Sequence, residues 1–217
     1  MTPVTTGSPY IFVYDGALDT ANCDLINAWV ATSDMATNAA YSTAQAWEHA
    51  TSPASINDAN VKHAVLTYRN SLVDVANAAF SKSFVPESSL LLYWRNGNSM
   101  NLHADAIDSA NIAPEHMPPL NSSVFMREYT SITFTNDGFT GGEVIIQVAP
   151  RQANVATYTV TPKKGTVVMF DSHCFFSVNT VTSGANTMVT LPVYFTTNSS
   201  AMEIVGDRKS TRLNSSH

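Results

Sequence analysis

Basic residues, cysteines and long apolar runs are all scarce in this sequence. Only 11 of the 217 residues are lysine or arginine, against 17 aspartates and glutamates, and the net charge is −6. Such an acidic chain repels phosphate backbones, so we expect no nucleic-acid partner. No apolar run approaches the ~20 residues that a membrane-spanning helix needs. We therefore expect no membrane partner either.

Cysteine usage and the N-terminal residues bear on the compartment. Cys23 and Cys174 are the two cysteines, which is too few for a disulfide framework and fits a reducing environment. Residues 1–7 lack the basic start and the apolar stretch of a signal peptide. The expectation is a cytoplasmic protein, provided that the reading frame starts at Met1.

The last eleven residues, 207–217, read as the translation of a common short-read sequencing adapter. A translated adapter is not part of the protein, so these residues are excluded from the fold prediction. Without Arg208, Lys209, Arg212 and Asp207 the net charge changes from −6 to −8, so the chain is more acidic than it first appears.

The first half of the chain predicts helices. Asp19 can cap a first helix, and a longer helix with an apolar stripe is predicted from Ile56 to about Phe80. Residues 10–14 read as a short strand. Residues 32–54 show no clear period and are predicted as loop with at most a short helix.

The second half predicts short strands separated by turn-forming pairs such as Asn-Gly, Asp-Gly and Gly-Gly. Eight or so short strands with regular turns favour a barrel or jelly roll packed on the N-terminal helices. A single domain over 1–206 is expected, with helical support at about 15–85 and a β core at about 88–196. The predicted strands are Leu90–Trp94, Met100–Asp105, Phe125–Phe134, Val144–Val148, Thr157–Val160, Thr166–Phe170, Phe175–Val181 and Met188–Phe195.

A His-x-Asp triplet lies in this β region. His103 and Asp105 are two residues apart, and on a strand such side chains point to the same face. An imidazole beside a carboxylate is two thirds of the facial triad that holds non-haem Fe(II). The same triplet is more often a plain hydrogen-bonded pair. Asp108 is an alternative carboxylate, but only Asp105 shares a strand face with His103.

Three blocks of sequence surround and follow this triplet. The first runs from Tyr93 to Asp105, the second spans 127–143 and the third spans 160–184. In this order they resemble the prolyl-hydroxylase branch of the Fe(II)/2-oxoglutarate dioxygenases, most of all the leprecan-type prolyl 3-hydroxylase catalytic domain. The resemblance covers about residues 10–196, and the order of all three blocks is more specific than any one of them.

The resemblance implies a fold, cofactors and a substrate. The fold would be a double-stranded β-helix, or jelly roll, packed on supporting α-helices. The cofactors would be Fe(II) and 2-oxoglutarate, with ascorbate as an optional addition, and the substrate a peptide or protein carrying a proline. Tyr93, Arg127 and Tyr129 would then contribute to cosubstrate binding.

Two positions depart from the pattern of this family. Aligning the third block puts Phe176 where the family has its distal metal-binding His. It also puts Asn186 where the family has the Arg or Lys that pairs with the far carboxylate of 2-oxoglutarate. Phe cannot bind Fe(II), and Asn offers one neutral hydrogen bond in place of a charge-assisted, bidentate pair.

Replacements for both anchors are present nearby. His173 could supply the third metal ligand if its loop is re-routed, with Cys174 as a softer candidate, although an odd shift of three residues flips the facing of a strand. An ordinary histidine of a surface loop is the alternative interpretation of His173. Arg127 and Tyr129 could contact the cosubstrate. The predicted site is therefore His103, Asp105 and His173 for the metal, and Tyr93, Arg127, Tyr129 and Asn186 for 2-oxoglutarate.

Three functions compete on this reading. The first is an active dioxygenase that hydroxylates a peptidyl proline. The second is a catalytically inactive jelly roll that binds a peptide or partner, which the changes at Phe176 and Asn186 favour. The third is a structural jelly roll in which the His-x-Asp triplet is coincidental, and the ordered blocks argue against it.

Overall fold

The computed structural model describes residues 1–8, 10–37, 50–106, 126–148, 156–182 and 187–205. In chain order the helices are α1 Thr20–Thr32, α2 Asp34–Thr37 and α3 Ala59–Phe80, with 3-10 turns at Pro53–Ser55 and Ser199–Ala201. The strands are β1 Thr2–Val4, β2 Ile11–Asp15, β3 Ala50–Thr51, β4 Val85–Ser89, β5 Leu91–Trp94, β6 Met100–His103, β7 Tyr129–Phe134, β8 Val144–Val148, β9 Ala156–Val160, β10 Val167–Asp171, β11 Phe175–Val178 and β12 Met188–Thr196.

Two antiparallel sheets form a jelly roll. The larger sheet has eight strands in the order β1-β2-β10-β7-β12-β5-β3, with β4 also paired to β12. The smaller sheet has four strands in the order β6-β11-β8-β9. The fold is thus mainly β with supporting helices, as the sequence predicts.

Helices α1 and α3 cover one face of the larger sheet. Asp19 and Asp58 cap them, since each aspartate accepts hydrogen bonds from backbone N–H groups of the first turn, which would otherwise lack partners. Along α3, residues such as Val61, Val65 and Leu72 recur at helical spacing and are buried against the sheet. The apolar stripe of the sequence is therefore the docking face of the helix.

The larger sheet is buried on both faces, so its strands send alternate residues into two cores. Leu191, Val193 and Phe195 of β12 pack on the helices. Leu92 and Trp94 of β5 pack instead between the two sheets, with Phe134 and Phe176. Sheets covered on both sides show near-continuous apolar strands, which explains why the facing of single residues is hard to read from this sequence.

The element boundaries differ from the predictions at several places. Strand β6 ends at His103 and β11 ends at Val178, earlier than expected. The predicted Phe125 lies outside the described residues. Strands β1, β3 and β4 were not predicted, and β4 contains Pro86, which reads as a strand breaker. Cys23 and Cys174 form no disulfide, and none of the helices described above is long and apolar enough to cross a membrane.

Candidate functional site

A small cavity lies between the two sheets, beside the cross-strand pair of His103 in β6 and Phe176 in β11. Its lining includes His103, Asp105 and Phe176, together with Trp94 and Tyr194 from the larger sheet. The volume is about 40 Å³, which is room for very few water molecules, since one needs ~10–15 Å³ on this kind of measure. The predicted His-x-Asp pair therefore faces a narrow, mostly apolar space.

His103 is the last residue of β6, and its ring is held in one orientation. Nδ1 lies 2.7 Å from the carbonyl oxygen of Asn101. A carbonyl only accepts, so Nδ1 carries the proton and Nε2 is directed to Asp105, 3.7 Å from its Oδ1. Burial disfavours the charged ring, but the contacts with Asp105 and Asn101 outweigh burial and raise the pKa of His103 above its ordinary value.

Asp105 lies in a bend after β6 rather than on the strand. The backbone N–H of Ala106 donates to the carbonyl oxygen of Ser172 at 2.9 Å, which fixes this bend against the turn after β10. The hydroxyl of Thr130 donates to Asp105 Oδ2 at 2.8 Å. Ser172 Oγ lies 2.8 Å from the same hydroxyl and donates to it, because Thr130 has one proton to give. The strand argument for a shared face is thus corrected, yet both side chains reach the same cavity.

Phe176 takes the place opposite His103. The two residues are cross-strand partners in the β6–β11 pair, and their ring centroids are 4.4 Å apart. Phe176 is 3% exposed and also packs edge-on against Phe170, with centroids 5.1 Å apart. The side chain that the family alignment assigns to the metal is therefore an aromatic ring packed in the core.

His173 is not brought to the His103–Asp105 pair. It lies in the turn between β10 and β11, where its backbone N–H and its Nδ1 both contact Asp171 Oδ1, at 2.9 and 3.0 Å. Its side chain is 59% exposed. Cys174 is buried in the core between the sheets. Within the described parts of the chain, no three His, Cys, Asp or Glu side chains are grouped so as to hold a metal ion.

Tyr93 and Tyr129 lie on the other face of the larger sheet. Leu92 and Trp94 point into the cavity, so Tyr93, between them, packs with the helical core. Tyr129 stacks on Phe80 at the end of α3, with ring centroids 3.7 Å apart. Because strand side chains alternate, both tyrosines point away from the cavity that His103 and Asp105 face, and their role in cosubstrate binding stays a prediction.

Arg127 is already paired within the fold. Its Nε donates to Glu87 Oε2 at 2.9 Å, and its guanidinium stacks on the ring of Tyr194, 3.8 Å from the centroid. Burial raises the pKa of Tyr194, and the nearby charge of Asp105 adds to this. Arg127 thus packs on Tyr194, which lines the cavity. Asn186, the fourth predicted cosubstrate contact, lies outside the described residues.

The donor set does not fit Fe(II) with 2-oxoglutarate. A facial triad needs three protein donors, and the described side chains around the cavity provide His103 and Asp105. The cavity is also far smaller than the ~300–1,000 Å³ of typical small-molecule clefts. Among the described residues, the third donor of a facial triad is therefore missing at this cavity.

Sequence reasoning missed three residues that shape this site. Thr130 orients Asp105, and Tyr194 and Trp94 form walls of the cavity. The indole N–H of Trp94 donates to Thr190 Oγ1 at 2.9 Å, so this buried polar group is satisfied. The alternation along β7 carries a signal for Thr130, because Thr130 and Ile132 share the face that looks towards the smaller sheet.

Comparisons with known proteins agree with the fold. No protein-family model and no curated protein matches the sequence. Among solved structures, a prolyl-4-hydroxylase from Pseudomonas putida is similar with a TM-score of 0.59 and 15% identity, over 86% of this chain and 91% of that one. A viral collagen prolyl hydroxylase from Paramecium bursaria Chlorella virus-1, in its 2-oxoglutarate complex, has a TM-score of 0.55 and 16% identity, over 89% and 98%.

A prolyl hydroxylase from Trichoplax adhaerens, in complex with a peptide fragment of hypoxia-inducible factor, is similar with a TM-score of 0.56 and 10% identity, over 88% of this chain and 84% of that one. Identities this low carry the architecture and not the chemistry. The chain therefore has the jelly-roll fold of the 2-oxoglutarate–Fe(II) oxygenases.

Proposed function

We propose that this chain is a catalytically inactive jelly roll of the 2-oxoglutarate–Fe(II) oxygenase fold, and that it acts as a peptide- or partner-binding module. One observation carries the proposal: Phe176, which the resemblance aligns with the distal metal-binding His, stands opposite His103 in the β6–β11 pair as a packed aromatic ring. A hydrocarbon ring donates no lone pair to iron. Its burial stabilises the fold instead, by roughly 1.5–3 kcal/mol for an apolar side chain of this kind.

The ligand class that we propose is a proline-containing peptide. The cavity wall includes Trp94, Phe176 and Tyr194, and aromatic-lined grooves are a common way to bind proline-rich segments. One structural neighbour is a prolyl hydroxylase in complex with a peptide, which supports a peptide as the ligand. The narrow cavity would take at most the tip of one side chain, so the peptide would lie mainly across its mouth.

Titration with short proline-rich peptides, followed by two-dimensional NMR, tests this binding. The indole N–H of Trp94 reports on the cavity, and that of Trp29, which pairs with Asn57 beside α3, serves as an internal control. We expect the Trp94 signal to shift in a saturable way while the Trp29 signal stays fixed. Equal shifts of both, or none at saturating peptide, would contradict the proposed peptide site.

The second candidate is the active dioxygenase, a peptidyl-proline hydroxylase with Fe(II) and 2-oxoglutarate. The observation in its favour is that His103 and Asp105 remain side by side in the cavity, 3.7 Å apart. An assay for conversion of 2-oxoglutarate to succinate, with Fe(II), ascorbate and the same peptides, separates the two. Turnover that depends on His103 would establish the enzyme and remove the binding-module proposal.

A further inference from the structure

The His103–Asp105 pair is held in place by more contacts than a surface ion pair needs. Asn101 fixes the tautomer of His103 and leaves the Nε2 lone pair directed at Asp105. Thr130 and Ser172 form a hydrogen-bonded chain to the far oxygen of Asp105. Backbone or carboxylate partners that orient a ligand in this way are typical of residues around metal ions.

The separation of the two donors suits one ion. Metal–nitrogen and metal–oxygen distances are about 2.0–2.2 Å, so two donors of one ion can be up to about 4 Å apart. Nε2 of His103 and Oδ1 of Asp105 are 3.7 Å apart. In the neutral tautomer both atoms are acceptors, so their approach is stabilised only by a proton on the ring or by a cation between them.

The position of Phe176 suits a third donor. Two imidazoles that bind one ion at right angles have ring centroids about 4.5 Å apart, given metal–nitrogen distances of about 2.1 Å. The rings of Phe176 and His103 have centroids 4.4 Å apart. An imidazole placed on the same Cβ would therefore have its ring at the right distance from His103.

We infer that His103 and Asp105 are a preorganised remnant of a metal site, and that the Phe176 side chain in the third position is what keeps a divalent cation from binding. The inference rests on the proposed inactive function and deepens it. Thr130 is then a positioning residue: it holds the Asp105 carboxylate and touches no ligand itself.

Cobalt(II) is the probe for this inference, because its visible absorption reports ligand number without any turnover. Phe176→His is expected to bind Co²⁺ saturably and at least tenfold more tightly than the wild type. Phe176→Leu, which also removes the ring but adds no donor, is the matched control and should behave as the wild type does. In the Phe176→His background, His103→Ala should abolish the new absorption and His173→Ala should leave it unchanged.

The role of Thr130 has its own readout. In the Phe176→His background, Thr130→Val should weaken Co²⁺ binding by about 10–100-fold, the usual effect of losing an orienting partner. A purely structural role would lower stability without moving the Co²⁺ affinity of the folded fraction. Thermal unfolding of each variant, recorded in parallel, separates the two effects.

Phe176→Cys keeps the test open if the His variant does not fold, since a cysteine is smaller and its thiolate binds Co²⁺ with an intense charge-transfer band. A folded His or Cys variant that binds Co²⁺ no better than Phe176→Leu would overturn the inference. So would a wild type that binds as tightly as Phe176→His. Neither result bears on peptide binding, so a failure of the inference and a failure of the proposed peptide site can be told apart. Succinate formation by the wild type would contradict both the proposed inactivity and the inference, because turnover requires bound iron.

Discussion

Phe176 and His103 face each other across the β6–β11 pair with ring centroids 4.4 Å apart. This single relationship decides how the whole site is interpreted. In a metal centre the two positions would share an ion. Here they form an aromatic contact at the wall of the cavity between the sheets.

Phe176 should therefore be important for stability. Phe176→Ala is expected to lower the free energy of unfolding by about 3–5 kcal/mol, the usual cost of removing a buried Phe. Phe175→Ala is the matched control, because Phe175 is 38% exposed and its removal should cost far less. Urea unfolding measures both. Equal losses in the two variants would show that Phe176 does not fill the core as described.

The turn between β7 and β8 offers a test of a close backbone approach. A Cβ on Gly141 would lie 1.9 Å from the carbonyl oxygen of Thr180, whereas one on Gly138 would meet nothing within 4 Å. Both glycines have positive φ, so both Ala variants carry the left-handed penalty of about 1–2 kcal/mol. Gly141→Ala should add a steric clash and be clearly the less stable in thermal unfolding. Similar melting temperatures would contradict the packing of this turn on Thr180.

The Arg127–Glu87 pair should behave as a buried ion pair. The two side chains are 16% and 4% exposed, so Arg127→Met leaves a carboxylate without its cation and should cost about 3–5 kcal/mol. Lys82→Met breaks the pair with Glu128, where the side chains are 42% and 28% exposed, and should cost about 0–1 kcal/mol. Chemical denaturation of the two variants compares them directly. A small effect at Arg127 would argue that it is available to bind a ligand.

His103 should make stability depend on pH. Its pKa is raised in the folded state, so its contribution is fully present below the unfolded pKa of about 6.5 and is lost as pH rises through the folded pKa. The difference in unfolding free energy between the wild type and His103→Gln should fall as pH rises above neutral. A difference that stays flat from pH 5.5 to 9 would show that the ring gains nothing from Asp105.

The sequence predicts the layers better than the facing of individual residues. The apolar residues of α3 recur at helical spacing because one stripe of the helix is buried, so the helix is predicted. The strands are predicted because the tight turns between them accept few residue types. Tyr93 and Tyr129 lie on the helix side of the larger sheet, and the sequence does not predict this. Both faces of that sheet are buried, so apolar alternation does not identify the cavity side. The sequence predicts a strand through Asp105, whereas β6 ends at His103. Strand ends depend on tertiary contacts such as that between Ala106 and Ser172.

The sequence predicts that Phe176 stands where the resembled family has its distal His, but it does not predict where His173 lies. Alignment puts Phe176 at the position of the distal His, while only the structure places His173 in an exposed turn against Asp171. His173 is three residues before Phe176, and the sequence does not predict on which side of the turn its ring lies. The register of β11 on β6 pairs Phe176, and not His173, with His103.

Whether the chain binds iron is decided by an anaerobic Fe(II) titration of residues 1–206 with 2-oxoglutarate present. The readout is the weak visible charge-transfer band of the iron–2-oxoglutarate chelate. We predict no saturable band for the wild type. A band that saturates at micromolar iron and vanishes in both His103→Ala and His173→Ala would contradict the account and establish a working triad.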